Sequence, residues 1–160
     1  MELKIGIGYD SHRFCENRKL VLGGVEISFE KGLLGHSDGD ALIHSIIDAL
    51  LGAAHLGDIG KMFPDSSDEF KGADSMKLLK RTYGAVSDKG YAVINIDSVV
   101  ILEKPKIAAL TDKMEKNIAS ALCIPAENVS VKGKTNEGMG FVGRGEGIAA
   151  ISTVLLRREK

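Results

Sequence analysis

The order in which strand-like and helix-like segments follow one another limits this chain to few folds. Leucine and isoleucine alternate with lysine and glycine over residues 3–9, which predicts a strand. Residues 20–22 and 25–29 flank Gly23-Gly24, a pattern typical of a β-hairpin. Further strands are predicted over residues 93–102, 129–132 and 148–156.

Three segments carry the apolar spacing of helices. The first is predicted to begin at Ser37, with Ser37 and Asp40 as a capping box, and to end at Gly52. The other two cover residues 75–88 and 107–122, and residues 57–72 are predicted to form a mobile loop. Because the early hairpin argues against a purely parallel sheet, we expect an α+β fold. Helices would cover one face of the sheet, as in a ferredoxin-like two-layer sandwich.

Size and charge restrict the possible functions. The chain of 160 residues matches a single domain, residues 1–160, and 44% of it is hydrophobic. A net charge of −1 gives no basic surface for nucleic acid, and no apolar run approaches the roughly 20 residues of a membrane-spanning helix. Cys15 and Cys123 make a poor disulfide framework and the first residues show no signal pattern. We therefore expect a cytoplasmic protein.

Three residues near the first strand and the first helix have the character of metal ligands. Asp10 and His12 lie two apart, so on an extended chain they point the same way. His44 lies in a segment without lysine or arginine, between Lys31 and Lys61, so it faces a shielded environment. Each observation alone also fits side chains that bond to nearby polar groups. Together, one carboxylate and two imidazoles form a zinc ligand set with an open position, which indicates catalysis.

Polar positions on and before the first helix extend this prediction. Asp40, His44 and Asp48 follow one another at intervals of four, which predicts a single polar stripe on an apolar helix. His36 and Ser37 lie at the predicted start of that helix, and helix N-termini favour phosphate oxygens.

A second candidate site lies in a glycine-rich segment. Residues 138–147 include five glycines, which allow the backbone to approach a ligand closely. Lys134, Thr135 and Arg144 are phosphate-binding residue types, and Glu137 is able to hold a second, harder cation. The segment also fits a flexible loop with solvated charges, and it matches neither the P-loop nor the dinucleotide fingerprint.

Four segments occur in an order that resembles a known family. They read Gly-Tyr-Asp-Ser-His-Arg-Phe, His-Ser-Asp-Gly-Asp-Ala-Leu-Ile-His, Leu-Gly-Asp-Ile-Gly-Lys-Met-Phe-Pro-Asp and Gly-Arg-Gly-Glu-Gly. From about residue 4 onwards the chain resembles the 2-C-methyl-D-erythritol 2,4-cyclodiphosphate synthases. The resemblance implies a homotrimeric lyase with active sites between neighbouring subunits. It also implies that 4-diphosphocytidyl-2-C-methyl-D-erythritol 2-phosphate is cyclised with release of CMP, in the non-mevalonate isoprenoid pathway.

The resemblance further implies roles for individual residues. The three candidate ligands correspond to a zinc site, Glu137 to the ligand of a magnesium or manganese ion, and His36 and Thr135 to groups that stabilise the transition state. Residues 58–60 and 63–67 correspond to the methylerythritol site, and residues 102–108 with Lys134 to the cytidine pocket. The implied substrate contacts are Ser37, Asp58, Ile59, Gly60, Phe63, Pro64, Asp65, Ser66, Ser67, Leu102, Pro105, Lys106, Ile107, Ala108, Lys134, Asn136, Phe141 and Arg144.

Two of these contacts, Phe141 and Arg144, resemble residues near the trimer axis, where family members can bind an anionic isoprenoid diphosphate. The chain departs from the family pattern at two places: Glu103 and Lys104 replace more neutral residues beside the cytidine pocket, and Lys134 stands where many relatives have a small hydroxyl residue.

Two other functions are compatible with the same residues. A zinc hydrolase would use the same three ligands and form a linear product instead of a cyclic one. A trimeric scaffold held by zinc would need a fourth protein ligand, for which only His36 and His55 are available. The phosphate-binding residues, and the absence of an obvious general base, favour the cyclase.

Overall fold

The computed structural model describes residues 2–158, which form a five-stranded mixed sheet packed against helices. In spatial order the strands of the sheet are β4 (Gly32–Leu33), β1 (Leu3–Cys15), β7 (Gly147–Arg158), β5 (Tyr91–Ile101) and β6 (Val129–Lys134). Strands β5 and β6 are parallel, and the other neighbours are antiparallel. A separate hairpin consists of β2 (Leu20–Leu22) and β3 (Val25–Ile27).

Helices fill the connections between these strands. They are α1 (Ala41–Ala53), α2 (Ile59–Met62), α3 (Ser75–Asp88), α4 (Thr111–Ala121) and α5 (Gly140–Gly143). Short 3-10 turns cover Asp68–Phe70, Ala108–Leu110 and Ala126–Asn128. No helix between residues 2 and 158 is both long enough and apolar enough to cross a membrane.

The α+β class with a sheet packed against helices is confirmed, but its ferredoxin-like detail is wrong. The elements follow one another as β1, α1, α3, β5, α4, β6 and β7, whereas the ferredoxin-like motif has the order β-α-β-β-α-β. The reason is that α4 connects β5 to β6 as a parallel crossover, and β7 then lies between β1 and β5, antiparallel to both.

The first helix begins later than predicted. Asp40, not Ser37, is the N-cap of α1, and its side chain accepts a hydrogen bond from the Ile43 N–H at 3.1 Å. Ser37 instead accepts from the Gly39 N–H, at 3.3 Å. The prediction that His36 and Ser37 lie at the start of this helix is therefore wrong. The predicted loop 57–72 also contains regular structure, namely α2 and a 3-10 turn.

Helix α1 is buried almost all round and lies directly on β1. A Cβ atom added to Gly6 or Gly8 of β1 would lie 1.9 Å from the carbonyl oxygen of Ala49 or Ser45, respectively. Glycine is needed at both positions because the two backbones are in contact. Side chains alternate along a strand, so Asp10, two residues beyond Gly8, points to the same side as α1. This contact brings His44 close to the end of β1.

The predicted polar stripe of α1 does not form a single surface. Asp40 is fully buried, and it accepts hydrogen bonds from the backbone N–H groups of Gly23 and Gly24 at 3.0 and 2.9 Å. Complete burial raises the pKa of Asp40 to about 6, although its backbone donors act in the opposite direction. Asp48 accepts from the Ile59 N–H at 2.8 Å and so anchors α2. Asp40 and Asp48 therefore support two different segments, the turn at Gly23 and Gly24 and the start of α2.

The opposite face of β1 is apolar and exposed. Ile5, Ile7 and Tyr9 alternate with the glycines that contact α1, and Ile5 and Ile7 are 78% and 69% exposed. We call these three side chains the apolar strip. An exposed apolar patch of this kind marks a surface that associates with another molecule.

Candidate metal centre

Three side chains from two elements converge beneath the carboxyl end of β1. Oδ2 of Asp10 lies 2.8 Å from Nε2 of His12 and 3.0 Å from Nδ1 of His44, and the two nitrogen atoms are 3.1 Å apart. We call this set the triad. Among residues 2–158, no other set of three His, Cys, Asp or Glu side chains converges in this way. The sequence prediction that strand and helix bring these residues together agrees with the structure.

In each imidazole, the outer nitrogen atom is the one that points away from the other two side chains of the triad, and its hydrogen-bond partners fix the tautomer of the ring. Nδ1 of His12 lies 2.6 Å from the carbonyl oxygen of Leu34, which only accepts, so this nitrogen carries the proton. Nε2 of His44 lies 3.0 Å from Oγ of Ser37 and 2.9 Å from Oγ of Ser75. When Nε2 of His44 donates to these hydroxyls, its Nδ1 presents a lone pair to the triad. The three converging atoms are then all acceptors.

Electrostatics in the triad favour a positive charge at its centre. Burial alone would raise the pKa of Asp10, but when the imidazole nitrogens that face it are protonated, the hydrogen bonds and charges of His12 and His44 outweigh burial and lower the pKa to about 2. Burial opposes charge on His12 as well, yet the hydrogen bond and charge of Asp10 raise its pKa. The carboxylate is therefore ionised, and it favours a positive charge beside it, either a proton on an imidazole or a metal ion.

These residues fit a zinc ion. Ligand distances of about 2.0–2.1 Å place the donors of a tetrahedral zinc roughly 3.3 Å apart, close to the separations in the triad. One carboxylate and two neutral imidazoles are a suitable donor set, and three protein ligands leave a fourth position open. Side-chain exposures of 26%, 16% and 10% for Asp10, His12 and His44 leave that position accessible from one side.

The triad lies at the bottom of a cavity of about 260 Å³, which we call cavity A. Its lining includes many of the predicted substrate contacts. Besides the triad, the lining consists of Gly35, His36, Ser37, Ile59, Gly60, Phe63, Asp65, Phe70 and Leu78. Nε2 of His36 lies 3.4 Å from the carbonyl oxygen of Ser67, so the loop after α2 is tied to the loop before α1. Predicted methylerythritol contacts therefore lie beside the candidate metal site.

The predicted cytidine contacts line a second cavity of about 100 Å³, which we call cavity B. Its lining consists of Leu102, Pro105, Lys106, Ile107, Ala108, Gly133, Lys134 and Thr135. Cavities A and B share no residue. Within one chain, the two halves of the predicted substrate site are thus separate.

The predicted second-metal ligand lies on the surface near cavity B. Glu137 is exposed and adopts a left-handed backbone conformation with φ of 52°. Its Oε1 accepts a hydrogen bond from Oγ1 of Thr135 at 2.8 Å. The carboxylate of Glu103 holds the same loop, because it accepts from the N–H groups of Asn136 and Gly138 at 2.8 and 3.3 Å. Glu137 is therefore oriented by its neighbours, but within residues 2–158 it belongs to no group of three converging His, Cys, Asp or Glu side chains.

Several predicted contacts lie outside cavities A and B. Asp58 caps α2 by accepting from the Lys61 N–H at 2.8 Å, and it is exposed. Phe141 lines a third cavity of about 230 Å³, whereas Arg144 pairs with Glu146 at 2.6 Å. The other predicted contacts that line neither cavity are Pro64, Ser66, Ser67 and Asn136.

Sequence reasoning missed residues that support the site from behind. Ser75 and Asp38 form a hydrogen-bonded pair behind His44. Arg18 donates to the carbonyl oxygens of Gly35 and Ser37, and so holds the loop that carries His36. Asp38 stands inside a conspicuous motif, but nothing in the sequence near Ser75 or Arg18 indicates a link to it.

The fold and the site define a class: small α+β proteins with a three-ligand candidate metal centre at the bottom of a ligand-sized cavity. Within this class, the chain belongs to the YgbB family, whose family model matches residues 3–157.

Curated relatives support this membership. The chain is 54% identical over 154 residues to a 2-C-methyl-D-erythritol 2,4-cyclodiphosphate synthase of Clostridium acetobutylicum, a match that covers 96% of this chain and 99% of the relative. It is 57% identical to the synthase of the same name in Neisseria gonorrhoeae, over 98% of both chains. The family resemblance predicted from the motifs is therefore confirmed.

Solved structures are similar in fold. The bifunctional IspDF from Campylobacter jejuni has a TM-score of 0.96 at 46% identity, covering 99% of this chain and 43% of that longer protein. IspF from Plasmodium falciparum in complex with CDP has a TM-score of 0.86 at 37% identity, covering 99% of this chain and 97% of that one.

Proposed function

We propose that this chain, as one catalytic domain over residues 1–160, converts 4-diphosphocytidyl-2-C-methyl-D-erythritol 2-phosphate to 2-C-methyl-D-erythritol 2,4-cyclodiphosphate and CMP. The observation that carries the proposal is the convergence of Asp10, His12 and His44 in a chain 57% identical to a named synthase. The reaction forms a bond from a 2-phosphate oxygen to the β-phosphorus. The bond from that phosphorus to the oxygen bridging it to the α-phosphate breaks, and CMP leaves with this oxygen and its electron pair.

We propose zinc as the metal of the triad. When bound, zinc acts as a Lewis acid on a phosphate oxygen and orients it. The protein holds the acceptor atoms of the triad close together and fixes both imidazole tautomers through Leu34, Ser37 and Ser75. His36 lines the same cavity, where its ring N–H stabilises negative charge on phosphoryl oxygens.

We propose that Glu137 holds a magnesium or manganese ion together with the phosphate oxygens of the substrate. Thr135 orients the carboxylate of Glu137, and Thr135 itself lines cavity B. A single carboxylate suits this role, because magnesium commonly binds through one or two carboxylates together with substrate phosphates. Little covalent chemistry is required of the protein in phosphoryl transfer, so positioning and charge neutralisation account for most of the rate.

We propose that the active enzyme is a homotrimer in which cavity A of one subunit faces cavity B of its neighbour. The separation of the two cavities within one chain supports this, because neither holds both ends of the substrate. The exposed apolar strip on β1 supplies a surface for association. The cytidine end would then occupy cavity B, beside the backbone of Pro105 and Lys106.

We also propose that an anionic isoprenoid diphosphate binds near the trimer axis. Phe141 and Arg13 line the third cavity and offer an apolar ring and a cation. Arg144 is close in sequence, but its guanidinium is engaged by Glu146, with which a diphosphate would have to compete.

A cytoplasmic location is part of the proposal. Both cysteines are free thiols in the structure, with Cys123 exposed. This is the expected state in a reducing compartment.

Product analysis tests the reaction directly. The zinc-loaded protein is incubated with the cytidine-diphospho substrate and magnesium, and ³¹P NMR follows the products. We expect equal amounts of CMP and a cyclic diphosphate. A linear phosphorylated product would instead indicate a zinc hydrolase, and an unchanged substrate would contradict both enzymes.

A further inference from the structure

A hydrogen-bonded pair lies behind His44, on the side away from the triad. Oγ of Ser75, the first residue of α3, lies 2.9 Å from Nε2 of His44. The same hydroxyl donates to Oδ1 of Asp38, in the loop before α1. Ser75 is fully buried. A chain of three polar groups therefore leads from a carboxylate through a hydroxyl to the imidazole of a candidate metal ligand.

The direction of this chain follows from its carboxylate end. Asp38 receives backbone N–H groups from Asp40 and from Ser75, at 3.1 and 3.0 Å, and the hydroxyl of Ser75 as well. An ionised carboxylate only accepts, so the hydroxyl proton of Ser75 points to Asp38. The Ser75 oxygen is then left to accept from the Nε2–H of His44. This fixes the tautomer in which Nδ1 of His44 faces the metal position.

We infer that Ser75, backed by the charge of Asp38, is a positioning residue that raises the metal affinity of the triad, an inference that rests on the proposed zinc site. Metal-bound histidines gain basicity and a fixed ring orientation when their other nitrogen donates to a carboxylate or its equivalent. Here the negative charge of Asp38 reaches His44 through one hydroxyl. Loss of such outer partners weakens metal binding by about 10- to 100-fold.

Ser37 also lies within hydrogen-bond distance of Nε2 of His44, but its surroundings differ from those of Ser75. Its Oγ lies 3.0 Å from Nε2 of His44, but it accepts from the Gly39 N–H and has no hydrogen bond to a carboxylate within the described residues 2–158. Ser37 also lines cavity A, whereas Ser75 does not. The geometry therefore assigns the polarising role to Ser75 rather than to Ser37.

Zinc affinity of single variants tests the inference. Zinc dissociation constants are measured by competition with a chromophoric chelator for the wild type, Ser75→Ala, Ser37→Ala and Ser45→Ala. Ser45 is the matched control, because it is also fully buried beside His44 but bonds to Leu42 and Ser152. We expect a dissociation constant about 10- to 100-fold larger for Ser75→Ala, a smaller change for Ser37→Ala, and no change for Ser45→Ala.

Two further readouts separate positioning from a general loss of structure. In the zinc-loaded wild type and in Ser45→Ala, the His44 Nε2 proton should give a resolved downfield NMR signal that shifts or disappears in Ser75→Ala. Ser75→Thr, which keeps the hydroxyl, should restore zinc affinity, and Asp38→Asn should lower it with the hydroxyl in place. Thermal melting of the metal-free variants verifies that each is folded.

The outcomes distinguish this inference from the proposed function. A folded Ser75→Ala variant with the zinc affinity of the wild type would overturn the inference and leave the zinc site standing. The same holds if Ser37→Ala produced the larger loss. A wild-type protein that binds no zinc would overturn the proposed metal site and the inference with it.

Discussion

The triad and the glycine-rich loop are both candidate metal sites, but the protein builds them in different ways. Asp10 and His12 are fixed by a central strand, and His44 by a helix that is buried almost all round. Glu137 lies exposed on a loop, in a left-handed conformation, and is oriented mainly by Thr135. A site on rigid elements exists before its ligand arrives, whereas a loop site needs the ligand to complete it.

The hydrogen bonds that hold the two regions in place also differ. Each imidazole of the triad has its outer nitrogen occupied, by Leu34 or by Ser37 and Ser75. The loop is held through backbone N–H groups that donate to Glu103, from the end of a neighbouring strand. We therefore expect the triad to bind its ion without substrate and the loop to bind its ion only together with substrate phosphates.

Removal of one ligand from each region should show the largest contrast. His44→Ala deletes one of three zinc ligands, so zinc should be lost and CMP release should fall by more than about 100-fold, beyond the cost of losing an outer partner. Glu137→Ala should retain zinc and require a higher magnesium or manganese concentration. Elemental analysis and CMP release measure both effects. A His44→Ala variant with full zinc content would contradict the role of His44 as a zinc ligand and the contrast with Glu137.

The contact between α1 and β1 should be the next most sensitive feature. Gly8→Ala places a Cβ atom 1.9 Å from the Ser45 carbonyl, so the helix must move away from the strand. We expect a loss of about 3 kcal/mol or more in the free energy of unfolding, with weaker zinc binding. Gly52→Ala is the control, since an added Cβ there has no neighbour within 4 Å. Urea unfolding measures both, and equal stabilities would contradict the close contact.

The buried carboxylate of Asp40, which caps α1, should add a pH dependence. Burial raises the pKa of Asp40 from 3.8 to about 6, so between these values the folded state binds the proton more tightly than the unfolded state. The contribution of Asp40 to stability is therefore largest below pH 4, decreases as the pH rises to 6 and is constant above. We expect a change of about 1–3 kcal/mol. Urea unfolding of metal-free protein should show the advantage of the wild type over Asp40→Asn decreasing with pH over this range; an increase would contradict the raised pKa.

The smallest effect is expected in the loop region. Glu103→Ala removes the acceptor of two backbone N–H groups, which should cost about 1 kcal/mol in this partly exposed setting. The amides of Asn136 and Gly138 should exchange faster with solvent, while zinc affinity stays unchanged. Glu103→Gln keeps an acceptor oxygen and serves as the control. A loss of zinc affinity in Glu103→Ala would show that the two regions are not independent.

The ligands of the triad can largely be predicted from local patterns in the sequence. Period-two alternation on a strand places Asp10 and His12 on one face, and the absence of cations around His44 indicates a shielded helix. Their convergence also depends on Gly6 and Gly8, which allow the helix to lie on the strand. In the sequence alone these glycines resemble ordinary strand residues, because only the structure shows that a helix lies against them.

Other features depend on contacts that a single sequence does not reveal. Ser37 and Asp40 are both capping residue types, and Asp40 is the cap because it also accepts from the distant Gly23 and Gly24. The three residues of the predicted polar stripe have different partners, because a helix that is buried on nearly all sides contacts several segments of the chain. Ser75 joins the site across 37 residues from Asp38, a distance that no local spacing rule covers.

The coordination of zinc by the protein is the claim on which the account depends. X-ray absorption at the zinc edge of the loaded wild-type protein measures it most directly. We expect two imidazole nitrogens and one carboxylate oxygen at about 2.0–2.1 Å, with a fourth light ligand. Sulfur at about 2.3 Å, or a zinc without imidazole, would contradict the triad as the metal site.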